Sequence, residues 1–164
     1  VVKVYSRTYT STHALGTSGT FVTVGNTDAN RLEIDMDVPA SSSSKYFIQV
    51  NLSVSDHVSG NIDFRLMDIT DTIIPVRATG ASNRANYFLG LGHQSTNNGS
   101  YHHIRSVGNS YLWSPNVSTA QRVKLQGSCI SGGTVFYINR STTDTDASWS
   151  SRSTSTMTVM EIAG

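Results

Sequence analysis

The 164-residue sequence predicts an all-β fold, an antiparallel β-sandwich of the jelly-roll kind with about ten strands. Three observations carry this. Apolar residues recur at every second position, and no stretch repeats them at the three-and-four spacing of a helical stripe. Turn residues punctuate the chain at spacings of about ten residues. Ser, Thr, Asn and Gly fill places that Lys and Glu usually take, and only 14% of residues are charged. Ser, Thr and Asn compete for the backbone hydrogen bonds of a helix and Gly loses much entropy in one, so the bias favours strands and turns.

Taken in order, Val1 to Thr10 alternates loosely, and a turn bearing Gly16 and Gly19 leads into a brief strand over Thr20 to Val24. Arg31 to Val38 is the cleanest segment. Leu32, Ile34, Met36 and Val38 point one way and Arg31, Glu33, Asp35 and Asp37 the other, which predicts one buried and one wet face. Pro39 ends the strand and Ala40 to Ser44 makes a polar connector. Tyr46, Ile48, Val50, Leu52 and Val54 form the inner face of a second long strand, and Ile62, Phe64 and Leu66 repeat the pattern after a Ser59-Gly60-Asn61 turn. Pro75 makes Ile73 to Ala78 an edge strand or a loop entrance. Asn86 to Leu91 is a strand, His93 to Gly99 a loop, and Ser100 to Val107 a further strand carrying Tyr101, His102 and His103. Tyr111 to Trp113 and Gln121 to Ile130 bracket a Ser114-Pro115-Asn116 turn, and Ser131-Gly132-Gly133 turns tightly into Val135.

The last stretch, Thr134 to Gly164, organises the rest. Two apolar runs, Val135 to Ile138 and Met157 to Ile162, flank a polar run of Ser, Thr and Asp, predicting a strand, a loop and a closing strand. That closing strand is expected inside a sheet, with backbone partners on both sides. No repeat or linker divides the chain, so residues 1–164 read as a single domain.

A formal net charge of +1 points to neither a nucleic-acid partner nor a membrane surface, and no apolar run reaches the length of a membrane span. The lone Cys129 allows no internal disulfide and sits in step with Val123, Leu125 and Gly127, as a small buried hydrophobe would. The N-terminus is no signal peptide and lacks Met, which fits a processed protein or a fragment of a longer one.

Several segments carry a resemblance: the Ser43 to Lys45 connector, the Tyr111-Leu112-Trp113-Ser114-Pro115 turn, Val135 to Ser141, the Thr143 to Asp146 TDTD run and the closing TMTVMEIAG. Together they resemble small jelly-roll domains of tailed-phage structural proteins, similar in architecture to the complement globular-head and tumour-necrosis-factor domains. The resemblance implies a homotrimer, a place in the virion, and other virion proteins as partners. It implies no catalytic residues.

Each candidate site has a plainer reading beside it. His93, His102 and His103 are the clustered metal-ligand types, and a trimer axis could gather three copies of one. Neighbouring His102 and His103 face opposite ways on a strand, and neither Cys nor carboxylate stands at ligand spacing, so surface or interface histidines are expected and no metal or cofactor is called for. His93, Gln94, Asn98, Tyr101 and His102 offer planar amides, donors and an aromatic platform for a host-surface glycan or protein, and Trp149 either tucks onto the sandwich or stacks on a sugar. Asp68, Asp71, Asp144 and Asp146 suggest calcium, but Asp in Ser/Thr-rich turns more often caps its own backbone. Arg140 and Glu161 are candidate interface residues, Arg140 because it stands beside the closing strand, with Glu33, Asp35, Asp63 or Glu161 as the expected carboxylate partners across a subunit boundary. Neither a Gly-x-Ser-x-Gly elbow nor a His-Glu-x-x-His motif occurs, so an enzyme is the distant reading. The leading one is a trimeric receptor-binding knob of a phage tail fibre, and the alternative a capsid decoration or tail-associated trimer without host-binding duty.

Overall fold

A computed structural model describes residues 1–16, 19–25, 30–55, 61–76, 87–91, 104–129, 135–148 and 150–164. Among them are eleven strands and no helix: β1 (Lys3–Tyr9), β2 (His13–Leu15), β3 (Val22–Thr23), β4 (Glu33–Met36), β5 (Lys45–Ser55), β6 (Ile62–Met67), β7 (Leu89–Leu91), β8 (Ile104–Trp113), β9 (Gln121–Cys129), β10 (Phe136–Ile138) and β11 (Ser155–Ile162). All pairings between them are antiparallel.

Setting aside β2, β3 and β10, the remaining eight strands pair from the outside in. The first joins the eighth (β1 with β11), the second the seventh (β4 with β9), the third the sixth (β5 with β8) and the fourth the fifth (β6 with β7). The eighth also pairs with the third and the seventh with the fourth, which splits the ribbon into two sheets. The front sheet runs β1-β11-β5-β8, with β10 and β2 continuing it beside β5. The back sheet holds β9 between β6-β7 on one side and β4 and β3 on the other. This wrapping is the jelly roll that the alternation predicted.

The two inner faces close one core. Tyr46, Ile48, Val50, Leu52, Val54, Met157 and Val159 come from the front sheet, and Ile34, Met36, Ile62, Phe64, Leu66, Val123, Leu125 and Cys129 from the back. A fully buried aliphatic side chain of this kind contributes about 1.5–3 kcal/mol relative to exposure, so period-two patterning alone goes far towards fixing the fold. Gly127 interrupts the inner row of β9 for a steric reason. A Cβ there would lie 2.9 Å from the Phe64 ring and 3.0 Å from Leu15, which crosses from the front sheet.

β11 lies inside its sheet, paired with β1 along one edge and β5 along the other, as expected. Along that edge β5 changes partner, meeting β11 over Lys45 to Asn51 and β10 at Val54. The junction is polar, buried and hydrogen-bonded around Asn139, whose backbone is left-handed (φ 63°). Its Nδ2 donates to the Tyr9 and Ser11 carbonyls (2.7 and 2.9 Å), and its Oδ1 accepts from Ser155 Oγ (2.6 Å). Ser155 Oγ in turn accepts from Ser53 N (3.0 Å), while Ser55 Oγ accepts from Tyr137 N (2.8 Å). Asn tolerates the left-handed region better than most residues, and its amide supplies partners that a sheet junction would otherwise leave unmade.

Three details depart from the sequence reading. β2 is a strand where none is expected from the sequence. Ile104 to Trp113 is one ten-residue strand where two pieces were expected. Ile73 makes an isolated bridge to Met67 and Pro75 lies outside any strand, which fits the loop-entrance alternative. Val38, assigned to the buried row of β4, is 57% exposed, because the strand ends at Met36, before Pro39. The Ser59-Gly60-Asn61 and Ser131-Gly132-Gly133 turns involve positions outside the described residues.

Candidate functional site

The two outer faces of the sandwich differ sharply. On the front sheet, register places the outward side chains in rows across β1, β11, β5 and β8. The first row is Val4, Met160, Phe47 and Leu112, with Val4 59% and Leu112 46% exposed. The second is Ser6, Thr158, Gln49 and Ser110, and the third Thr8, Thr156, Asn51 and Gly108. Not one of these positions is ionisable. Asn51 folds over Gly108, where a Cβ would come within 2.5 Å of its Oδ1. The result is a field of uncharged side chains with an apolar stripe along one side, bordered beyond that stripe by the exposed Lys45, which register sets across from Ile162. Depletion of charge with enrichment in Phe and Met is the compositional mark of an interface core.

The outer face of the back sheet is its opposite. Glu33 and Asp35 on β4 face Lys124 and Arg122 on β9, and Asp35 pairs with Arg122 at 2.6 Å. Lys124 also pairs with Asp71, holding that carboxyl below its ordinary range. Arg65 Nε donates to Gln126 Oε1 (2.8 Å), and its guanidinium lies 4.2 Å over the Phe21 ring, which in turn packs against Tyr87 at 5.7 Å. Beside them Asp63 is 8% exposed, directly across from Gly90, and burial pushes its carboxyl up to about 6. A Cβ on Gly90 would approach Asp63 Oδ1 to 2.9 Å.

The sequence-derived candidates divide in two. His93, Gln94, Asn98, Tyr101, His102 and Trp149 lie outside the described residues. Arg140 and Glu161 are described, and the structure does not bring them together in a hydrogen bond or ion pair. Arg140 stacks 3.6 Å over the Tyr137 ring and pairs with Asp144 at 3.5 Å. Arg152 grips the same Asp144 through two bonds of 2.9 and 2.7 Å, so the TDTD segment is pinned by two arginines. Glu161 is fully buried on the inner face of β11, where Oε1 accepts from Ala40 N (2.6 Å) and Ser44 Oγ (2.9 Å). Its Oε2 and the Tyr46 hydroxyl have no hydrogen-bond partner among the described residues. Burial first, and then the Glu161 charge, pushes the Tyr46 phenol up to about 12. Asp68 caps its own turn, its Oδ1 accepting from Thr70 N (2.8 Å) and Thr72 N (2.9 Å). Among the described residues no three His, Cys, Asp or Glu side chains cluster as a metal site would require.

One concavity escaped the sequence reading. Where the front sheet ends at β2 and the back sheet at β3, the edges part around a groove of about 590 Å³. Among the described residues it is lined by His13, Thr20, Phe21, Thr23, Arg31 and Gln126 together with small neighbours. Gly25 shapes it. At φ 118°, and with a Cβ that would come within 2.3 Å of the Asn30 carbonyl oxygen, that position admits only glycine, whose N–H donates to His13 Nδ1 (2.7 Å). Burial lowers the His13 pKa, so the ring is neutral at pH 7, and an accepting Nδ1 leaves its proton on Nε2. Apart from Gln126 these residues fall in one stretch, His13 to Arg31, but they share no motif; the isolated Gly25 was the one available signal.

No family model matches the chain, and no curated protein matches it. Solved structures that resemble it include T=1 particles derived from infectious bursal virus, with a TM-score of 0.49 and 12% identity over 96% of this chain and 31% of that one. The T13 particle of the same virus gives 0.46 and 14% over 96% and 31%, and a VP2 subviral particle of infectious bursal disease virus gives 0.41 and 14% over 98% and 38%. This chain therefore spans about a third of the chains it matches, and no residue role passes from them to it.

Proposed function

We propose that this chain is a structural protein of a virion, a trimeric knob of the tail-fibre type whose loops meet the host surface. The three uncharged rows on the outer face of the front sheet carry the reading. A wet sheet face is ordinarily polar throughout, whereas rows that set Val4, Met160, Phe47 and Leu112 beside Ser, Thr, Asn and Gln suit burial against other copies of the chain. Four strands about 4.8 Å apart and three rows about 6.8 Å apart span roughly 300–400 Å². A standard interface takes about 800 Å² from each partner, so neighbouring edges must add to this field. The phage-type resemblance of the C-terminal stretch supports the virion assignment, and rigid strands carrying loops suit display.

Light scattering on the purified protein tests assembly. A trimer is expected, with Leu112→Glu falling to monomer and Glu33→Lys, on the back face, unchanged. A monomeric wild type would overturn it. Density for the chain at the distal end of a fibre in a particle map is expected, and density at capsomer junctions would favour the decoration alternative.

A further inference from the structure

We propose that the edge of β8 away from β5 is a self-pairing surface, and that its partner is β8 of a second copy of this chain, joined antiparallel across a two-fold axis at Gly108. The proposal goes beyond the trimer and does not rest on it. β8 runs ten residues in unbroken register with β5, and among the described residues it pairs with no other strand. The other strands that end a sheet are guarded. β2, β3 and β7 are three residues long or shorter, β4 carries Glu33 and Asp35, and β1 carries Lys3 and Arg7. Natural sheets blunt their edges by shortness, charge, proline or bulges, and β8 has none of these beyond Arg105 near its start. Ser106, Gly108, Asn109, Ser110 and Leu112 are exposed, and at Gly108 it is the backbone itself that meets solvent.

Two features name the partner, and the first is backbone parity. Asn139 N donates to the Ser53 carbonyl and Ser53 N to Ser155 Oγ, so Ser53 and the other odd-numbered residues of β5 turn their backbone groups towards β10 and β11. Even-numbered residues of β5 therefore bond the odd-numbered residues of β8, which register sets across from them. The N–H and C=O groups of Ile104, Ser106, Gly108, Ser110 and Leu112 point the other way, to the edge. The second feature is the order of that set. Ile-Ser-Gly-Ser-Leu has the same polarity read in either direction, so a two-fold at Gly108 sets Ile104 against the partner's Leu112, Ser106 against the partner's Ser110, and glycine against glycine. Apolar meets apolar, hydroxyl meets hydroxyl, and no like charges face each other across the edge. An isologous contact demands such self-complementarity, whereas a foreign strand gives no reason for it. The edge is also held in place. Asn109 Nδ2 donates to the Phe88 carbonyl beside β7 (2.5 Å) and ties β8 to the back sheet, so little ordering is left for pairing to impose.

Val4→Glu, which charges the apolar stripe on β1 and leaves β8 untouched, separates this contact from the trimer. Sedimentation of that variant should show monomer passing to dimer with a dissociation constant below about 1 mM. In hydrogen exchange on the same protein, the amides of Ser106, Gly108, Ser110 and Leu112 should slow as the dimer forms, while those of Val107, Asn109 and Tyr111, bonded to β5, stay slow throughout. In that background Ser106→Lys with Ser110→Lys sets like charges across the axis and should raise the dissociation constant at least about tenfold. Ser106→Lys with Ser110→Glu pairs opposite charges at the same positions and should restore it. A Val4→Glu protein that stays monomeric up to about 1 mM would overturn the proposal, as would a dimer whose edge amides exchange freely. Equal weakening by both double substitutions would overturn the register through Gly108. If the wild type forms no trimer and Val4→Glu still pairs, the trimer fails and this contact stands.

Discussion

The front and back sheets share one core and one pairing logic, yet their outer faces follow opposite rules. Twelve outward positions on β1, β11, β5 and β8 carry no charge, while β4, β6 and β9 present Glu33, Asp35, Asp63, Arg65, Arg122 and Lys124. Core packing cannot explain this, because both sheets bury the same kinds of residue inside. The difference is therefore about what each face meets. A neutral face with an apolar stripe loses little on desolvation, whereas a face laced with ion pairs loses a great deal unless every charge keeps its partner. The front sheet is suited to being covered and the back sheet to staying wet.

The largest change is expected at the junction within the front sheet, where β5 passes from β11 to β10. Asn139→Ala removes donors to the Tyr9 and Ser11 carbonyls and the acceptor for Ser155 Oγ, all inside the protein, and leaves Ala in a left-handed backbone. A loss of about 3–4 kcal/mol follows from unmade buried hydrogen bonds and the backbone term together. Chemical denaturation would measure it. Asn139→Gly keeps the backbone and drops the amide, so it should recover part of the loss; equal losses would mean that the conformation contributes nothing.

Asp63 sharpens the comparison from the other side, as a charge on the wet face that is itself buried. Its folded pKa of about 6 lies above the ordinary 3.8, so its contribution to stability is fully present below about pH 4 and is lost as the pH rises through 6. Asp63→Asn should match the wild type near pH 4 and exceed it by up to about 3 kcal/mol at pH 7.5, on the scale of 1.36 kcal/mol for each pKa unit. Melting curves across that range would show it, and a difference that does not change with pH would remove the buried-carboxylate account.

What the sequence made legible was whatever one strand decides for itself. Leu32, Ile34 and Met36, the Tyr46 to Val54 row and the inner position of β11 all follow from period two, since each needs only an apolar face and a core to meet. Val38 failed because a neighbouring Pro39 cut the strand short. The front-face rows were not legible, because Val4, Met160, Phe47 and Leu112 become neighbours only through register, which no local pattern encodes. Asn139 carries no signal of its own in the sequence; its role as the hub of a junction needs Tyr9, Ser53 and Ser155 to arrive from three other segments. Glu161 looked like an available charge because an acid in a closing strand is usually wet, and the connector at Ala40 and Ser44 that buries it lies across the sandwich.

The smallest effect expected is on the Asp35–Arg122 pair, and it asks whether charge on the back face stabilises the fold or only keeps the face hydrated. The two side chains are 68% and 36% exposed, and their bond is short at 2.6 Å. Exposed pairs lose most of their Coulomb energy to water and some rotamer freedom to geometry, so a double-mutant cycle over Asp35→Asn and Arg122→Gln should give a coupling of about 0.3–1 kcal/mol. Salt should shrink it, because the screening length falls to about 3 Å in 1 M salt. A coupling above 2 kcal/mol that ignored salt would mean that the back face is held together by its charges. The contrast between the faces would then be one of construction, with ion pairs stabilising one sheet and hydroxyl packing the other, and the neutral front face would no longer need a partner to explain it.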